Sequence, residues 1–406
     1  MTKLDNLIAE LCPDGVEYKP LGEIATEMYR GSGIKRDEVT ETGSPCVRYG
    51  EIYTSYGVWF DTCLSRTKVG KKTFTHGDIL FAITGESIED IAKSCAYIGH
   101  DTCYAGGDIV VMKHKQNPKY LAYTLSTYEA QAQKSKGKIK SKVVHSSIPA
   151  LKEIIVPLPP LPIQEEIVRI LDNFTELTAE LTTELTARKK QYEYYQNELL
   201  TFGDDVDYKE LNEVCDYVDY RGKTPKKTDN GVFLITAKNI RKGFIDYETS
   251  KEYIAAEDYD EVMRRGKPLI GDILVTTEAP CGHVAQLERD DIALAQRVIK
   301  YRGRADVINN AYLKHILLAS EFQTKLLRAA TGGTVKGIKG SKLHKLTIPI
   351  PPLEVQTRIV EILDRFDTLT TDITNGLPAE ITARQKQYEY YRDKLLSFPA
   401  KQQSPS

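Results

Sequence analysis

The sequence predicts an α+β protein in which two mixed α/β domains are joined by two long helices that pair as an antiparallel coiled coil, with the halves related by a pseudo-two-fold axis. Three observations carry this. The chain repeats itself: PLPPLPIQEEIVRIL at 157–171 returns as PIPPLEVQTRIVEIL at 349–363, and ARKKQYEYYQNELLTF at 187–202 returns as ARQKQYEYYRDKLLSF at 383–398. Each repeated segment is a long apolar-periodic run, and each is preceded by a region of divergent sequence. The period, about 192–196 residues, is far longer than the ~20–50 residues of a solenoid unit, so the repeat is a duplicated domain pair.

The order of segments follows. Residues 1–156 form a first variable domain, 157–203 a first constant helix, 204–348 a second variable domain, 349–400 a second constant helix and 401–406 a disordered tail. Fainter echoes link the variable regions: Gly77-Asp78-Ile79-Leu80 with Gly271-Asp272-Ile273-Leu274, and Tyr120-Leu121 with Tyr312-Leu313. Short β-rich runs bounded by Gly and Pro predict strands around 78–83 and 272–276, and helices are expected over 120–133 and 312–327.

Prolines mark where each constant segment begins, because they continue neither a sheet nor a helix interior. Beyond them the apolar spacing becomes 4, 3, 4, 3, 4 along Ile163, Ile167, Ile170, Phe174, Leu177 and Leu181, and again along Val355, Ile359, Ile362, Phe366, Leu369 and Ile373. That is a heptad-like seam. A helix over 163–200 would be roughly 55 Å long at 1.5 Å per residue. It cannot bury its stripe on itself, and the equally long matching stripe is the other copy. Antiparallel pairing is the more natural arrangement, because it sets the two domains at opposite ends. The second copy carries an extra Asn375-Gly376-Leu377-Pro378, which predicts a helix break there. The first repeats a four-residue unit over 178–185, each unit being worth ~6 Å of helix. The clusters Tyr192, Tyr194, Tyr195 and Tyr388, Tyr390, Tyr391 cover more than one helix face, so they read both as a seam extension and as an aromatic docking patch for a partner protein.

A formal charge of −2 over 406 residues argues weakly against nucleic acid, but a polyanion responds to a local face and not to the average. Cations gather locally at equivalent places in the two halves. One lysine loop has Lys134, Lys136, Lys138 and Lys140; its counterpart has Lys336 and Lys339. Earlier loops add Arg30, Lys35, Arg36 and Arg48 in the first half, and Arg221, Lys223, Lys226, Lys238, Asn239 and Arg241 in the second. Lysines alternating with small residues suit phosphate tracking, and Arg and Asn have the fork geometry to read guanine and adenine edges. These residues are the DNA-binding candidates.

Enzyme readings fail on their motifs. An adenine-methyltransferase N/D-P-P-Y/F is missing, since Pro159-Pro160 and Pro351-Pro352 are followed by leucine. Ile338 stands where a phosphate-binding loop requires lysine. Cys281 and His283 lack a second zinc-ligand pair. The seven cysteines, without C-x-x-C spacing, suggest reduced thiols. No apolar run approaches the ~20 residues of a membrane span, and no signal pattern opens the chain, so a cytoplasmic location without membrane association is expected.

The repeated PPLPIQEEIVRILDNF and PPLEVQTRIVEILDRF segments, the two ARxKQYEYY tails and the opening LCPDGVEYKPLGEI resemble the specificity subunit of type I restriction–modification systems, over essentially the whole chain. The resemblance implies a non-catalytic subunit. Each variable region would be a target recognition domain for one half of a bipartite double-stranded DNA site, and the coiled coil would set the gap. The helices would dock two methyltransferase subunits, and two restriction/motor subunits would complete the enzyme. S-adenosylmethionine, ATP and Mg2+ would bind those partners, and this chain would hold no cofactor or metal. The competing expectation is a structural coiled-coil scaffold or an inactive specificity allele.

Overall fold

The computed structural model describes residues 2–88, 90–136, 143–203, 205–220, 225–333, 335–371 and 375–401. The chain forms two compact units. One comprises Met1–Leu181 and Ile381–Ser406, the other Thr182–Glu380. Each therefore contains one variable region together with part of each constant segment.

In the first unit a five-stranded sheet runs in the order Ala25–Arg30, Ile109–His114, Ile79–Ala82, Ser94–Tyr97, Trp59–Phe60. A second runs Val39–Thr40, Ser65–Thr67, Ser44–Val47, Cys103–Ala105, Thr73–Phe74. Side chains alternate across a strand, so a strand with cores on both faces reads as a continuous apolar run. Ile79–Ala82 is such a strand. Ile79 and Phe81 pack into one core with the helices, and Leu80 and Ala82 pack into another with Val47, Phe74 and Tyr97. The second unit repeats this plan with Cys215–Asp219, Val298–Gly303, Ile273–Thr276 and Val284–Gln286 in one sheet, and Lys227–Thr228, Tyr253–Ile254, Val232–Ile235 and Ile292–Leu294 in another. Ile273 and Val275 face the helix side there, and Leu274 faces the other core.

The helices expected over 120–133 and 312–327 are each two helices. Pro118–Leu125 gives way to Tyr128–Ser135 at Thr127, whose hydroxyl caps the second helix, and Asn310–Leu318 gives way to Ser320–Ala329 at Ala319. A two-stranded ribbon closes each domain onto its constant segment: Tyr18–Pro20 pairs with Ile155–Pro157, and Tyr208–Glu210 with Thr347–Pro349.

The first constant helix is continuous over Leu161–Leu200, while the second is divided into Leu353–Thr371 and Leu377–Leu395, on either side of the expected break. Gly376 is buried just before the second piece. Within the first unit Phe174 stacks on Tyr391 with ring centroids 5.5 Å apart, and the early Ile163 and Ile167 share a core with the late Leu396. Within the second unit Tyr192 and Tyr195 stack on Phe366 at 6.1 and 5.5 Å, and the late Leu200 shares a core with the early Ile359. In both units rising residue number in one helix meets falling number in the other, so the pairing is antiparallel.

The seam differs from the expected stripe. Ile163, Ile167 and Ile359 are buried, and Ile170, Phe174, Leu181 and Phe366 are half-buried. Leu177, Val355, Ile362 and Leu369 are exposed instead, and Ile373 lies outside the described residues. In the second helix the buried row is Gln356, Ile359, Leu363 and Thr370, one position on from Val355, Ile362 and Leu369. The buried row includes a glutamine whose amide is hydrogen-bonded by the domain through Asn309 N and Val307 O.

Candidate nucleic-acid interface

In the first unit the sheet edge builds a cleft. Strand Ala25–Arg30 runs into a glycine turn whose backbone is held by Gly31 N donating to Ile109 O at 2.8 Å and Ser32 N to Ala105 O at 3.0 Å. A Cβ on Gly31 would stand 2.1 Å from Gly106 O, so only glycine permits this approach. Opposite, helix Tyr49–Thr54 starts just after Arg48, with Glu51 accepting from Arg48 N at 3.0 Å. The walls enclose ≈ 840 Å³ and bring together Arg30, Arg36, Arg48, Tyr49, Glu51 and Asp108. Three of the four early candidates therefore share one cleft; Lys35 is exposed beside it. Arg30 donates through Nε to Gly107 O at 2.5 Å and pairs with Asp108, and Arg48 lies 3.5 Å from Glu51. A guanidinium fixed on one side by a carboxylate keeps its remaining N–H groups in a set direction, which favours bidentate recognition over loose phosphate contact. Tyr49 and Asp108 were not singled out by sequence reasoning, because one exposed tyrosine and one aspartate carry no spacing signal.

Lys134 is a correction. The alternation of lysines with small residues suggested a free arm, but helix Tyr128–Ser135 runs through it and turns this side chain inward. It is 4% exposed, and its amine donates to Leu125 O at 2.7 Å and Ser94 Oγ at 3.3 Å. Burial pushes its pKa down to about 7. It supports the fold and does not reach a nucleic acid. Lys136 is exposed at the end of the helix, and Lys138 and Lys140 lie outside the described residues.

In the second unit Arg221 and Lys223 lie outside the described residues, and Lys226 and Lys238 are exposed. Asn239 is a second correction. It is fully buried, its Nδ2 donating to Asp246 O and Ser250 O and its Oδ1 accepting from Thr236 N at 3.0 Å and Thr236 Oγ1 at 2.9 Å. Its amide is spent on closing the 236–250 loop, leaving no edge for adenine. Arg241 rests on that loop through Thr249 Oγ1 at 2.9 Å and Asp246 at 3.5 Å. Lys336 is exposed next to Gly337, which bridges to Thr331, and exposed Lys339 precedes helix Gly340–Leu343.

The tyrosines divide by face. Tyr192, Tyr388 and Tyr391 are half-buried in helix packing; Tyr194 and Tyr390 are 60% and 62% exposed, and Tyr195 is partly exposed while stacking on Phe366. Among the described residues no group of three His, Cys, Asp or Glu is arranged to hold a metal ion, and no helix is long and apolar enough to cross a membrane.

Comparison with known proteins accords with this geometry. The family model described as the type I restriction modification DNA specificity domain matches twice, over residues 13–188 and 203–383. The chain is 40% identical over 306 residues to the type I restriction enzyme EcoR124I/EcoR124II specificity subunit of Escherichia coli, covering 69% of this chain and 71% of that one. It is 33% identical over 277 residues to a putative type I specificity subunit of Haemophilus influenzae, covering 64% and 68%. The fold matches the crystal structure of a type I restriction–modification S subunit from M. genitalium with a TM-score of 0.57 at 12% identity, over 94% and 96% of the two chains.

Proposed function

The chain belongs to the family of type I restriction–modification DNA specificity subunits, and from that premise we propose that each of its two units reads one half of a bipartite duplex site while the paired helices set the gap between the halves. The observation that supports this reading is the repetition of one sheet plan with different loops: the Arg30–Arg36–Arg48 cleft in the first unit, and the loops carrying Lys226, Lys238, Lys336 and Lys339 in the second. A shared scaffold with divergent loops is what two different half-sites require.

The chemistry belongs to partners. Methyltransferase subunits using S-adenosylmethionine dock on the constant helices, where Tyr194 and Tyr390 expose aromatic surface, and ATP- and Mg2+-dependent restriction/motor subunits complete the assembly in the cytoplasm. Two copies of each partner suit a chain whose docking segment occurs twice.

The test is to co-express the chain with its cognate methyltransferase subunit and map methylated adenines across a host genome. A bipartite motif with a fixed gap is the expected result. One continuous half-site would overturn the two-headed reading, and an intact complex without methylation would favour a scaffold or an inactive allele.

A further inference from the structure

One polar fastening between a variable domain and its constant helix recurs in both halves. Gln164 sits in the first turn of Leu161–Leu200 with no exposed surface. Its Oε1 accepts from Asn117 N at 3.1 Å, and its Nε2 donates to Gln116 Oε1 at 2.9 Å and Pro159 O at 2.7 Å. Gln356, also without exposed surface, accepts from Asn309 N at 2.8 Å and donates to Val307 O at 3.0 Å and Pro351 O at 2.8 Å. Asn117 and Asn309 are the caps of the domain helices Pro118–Leu125 and Asn310–Leu318. Each glutamine thus ties the start of a domain helix to the start of a spacer helix.

A second fastening stands eight residues along each spacer helix. Asp172 accepts from Tyr123 OH at 2.8 Å and Lys119 Nζ at 2.7 Å. Asp364 pairs with His315 Nε2 at 2.7 Å and Lys314 Nζ at 3.3 Å. The separation is about 12 Å along the axis at 1.5 Å per residue. One point leaves a domain free to pivot; two points on one helix fix its direction. Of the two, only the glutamine uses the same residue type and the same backbone partners in both halves: a cap N–H and a proline carbonyl.

We propose that Gln164 and Gln356 are positioning residues for specificity: they index each recognition domain to its spacer helix, so that the complex accepts one gap length and rejects its neighbours. This rests on the bipartite reading given above. The leverage is large. A domain of ~140 residues is roughly 35 Å across by the usual size scaling. A pivot of ~10° therefore moves its far side by ~6 Å, against a base-pair rise of 3.4 Å. Buried amides also suit this task, because a misdocked domain leaves one donor and the acceptor unmatched, whereas apolar packing tolerates sliding.

The experiment uses the whole methyltransferase complex and a duplex panel in which both half-sites are kept and the gap is one base pair shorter, equal or one longer than the mapped motif. Gln164→Glu and Gln356→Glu keep shape but turn donors into acceptors. Gln116→Ala removes one bond at a half-buried position, and Gln116→Glu restores the acceptor. The expected result is a drop of about tenfold or more in the kcat/KM preference for the wild-type gap in Gln164→Glu and Gln356→Glu. Gln116→Ala falls part of the way and Gln116→Glu recovers, while penalties for single base changes within each half-site stay as in wild type. Equal loss on all three gaps, or lowered melting temperature with unchanged gap preference, would show that the glutamines only stabilise the fold and would overturn the proposal. A wild-type complex that methylates all gaps equally would overturn the bipartite reading itself, and the proposal with it.

Discussion

The hydroxyl of Tyr18 donates to the carbonyl of Phe398 at 2.8 Å and accepts from Phe398 N at 3.3 Å, joining residues near the two ends of the chain. The second unit makes the same contact locally, with Tyr208 OH donating to Phe202 O at 3.2 Å. In one half, then, the end of a constant helix reaches its tyrosine through six residues of chain, and in the other half by non-covalent contact alone. Val16 pairs with Ala400 beside it, and Leu396 and Phe398 are buried in the first unit's core.

The non-covalent closure makes the last turns essential to the first unit. Tyr18→Phe is expected to cost ~1 kcal/mol, the net worth of an ordinary hydrogen bond. Phe398→Ala is expected to cost ~3 kcal/mol, as for other buried phenylalanines. Urea denaturation measures both, and hydrogen exchange should locate the loss in the first unit. Loss spread equally over both units would contradict this assignment.

Acid should weaken the junction between the N-terminal helix Lys3–Leu11 and the first spacer helix. Hydrogen bonds from Arg169 and Lys3 hold the Glu166 carboxyl down to about 2, against its ordinary 4.5. A depressed carboxyl stabilises the fold fully above its unfolded value. That contribution fades as pH falls from about 4.5 towards 2. Glu166→Gln should flatten the stability–pH slope in that window and leave the slope above pH 6 unchanged, which thermal melts across a buffer series would detect.

Lys134 predicts a slope of the same sign in a higher window. Its folded pKa of about 7 lies below the ordinary 10.5, so the unfolded chain binds more protons between those values. Stability should rise with pH from about 7 towards 10 through this group, and Lys134→Met should remove that rise. The same substitution should leave the salt dependence of DNA binding untouched, since the amine is buried.

The base-reading and phosphate-holding roles proposed for the cations are separable by titration with salt. Arg48→Ala and Arg30→Ala should relax preference at one half-site, because each guanidinium is held in a fixed direction in the cleft. Lys336→Ala and Lys339→Ala should weaken all sequences alike and lower the slope of log K against log salt by about 1 each. Competition binding over a salt series distinguishes them. A uniform loss from Arg48→Ala would make it a phosphate contact.

Deleting 182–185 removes ~6 Å of the continuous first helix, about two base-pair steps. Methylation mapping should return both half-sites with a shorter gap. An unchanged gap would move the spacer function away from this segment.

By itself the sequence determined the duplication, the constant helices, the division of the second one around Gly376 and the buried strands Ile79–Ala82 and Ile273–Thr276. Each is a local or periodic property: apolar rows at helical spacing, continuous apolar runs, and glycine and proline where a helix cannot continue. The tertiary structure decided which row is buried. Val355, Ile362 and Leu369 read as the buried row by hydrophobicity, yet they are exposed while Gln356, Leu363 and Thr370 are buried. A glutamine looks like surface until the Asn309 N–H and Val307 carbonyl that satisfy it are brought up by another part of the fold. Lys134 and Asn239 misled for a related reason: Lys134 is satisfied by Leu125 O and Ser94 Oγ, and Asn239 by the folded-back backbone of its own 236–250 loop. Polar side chains bury when distant groups match their hydrogen bonds, and that matching is a property of three-dimensional placement, which no periodicity in one dimension records.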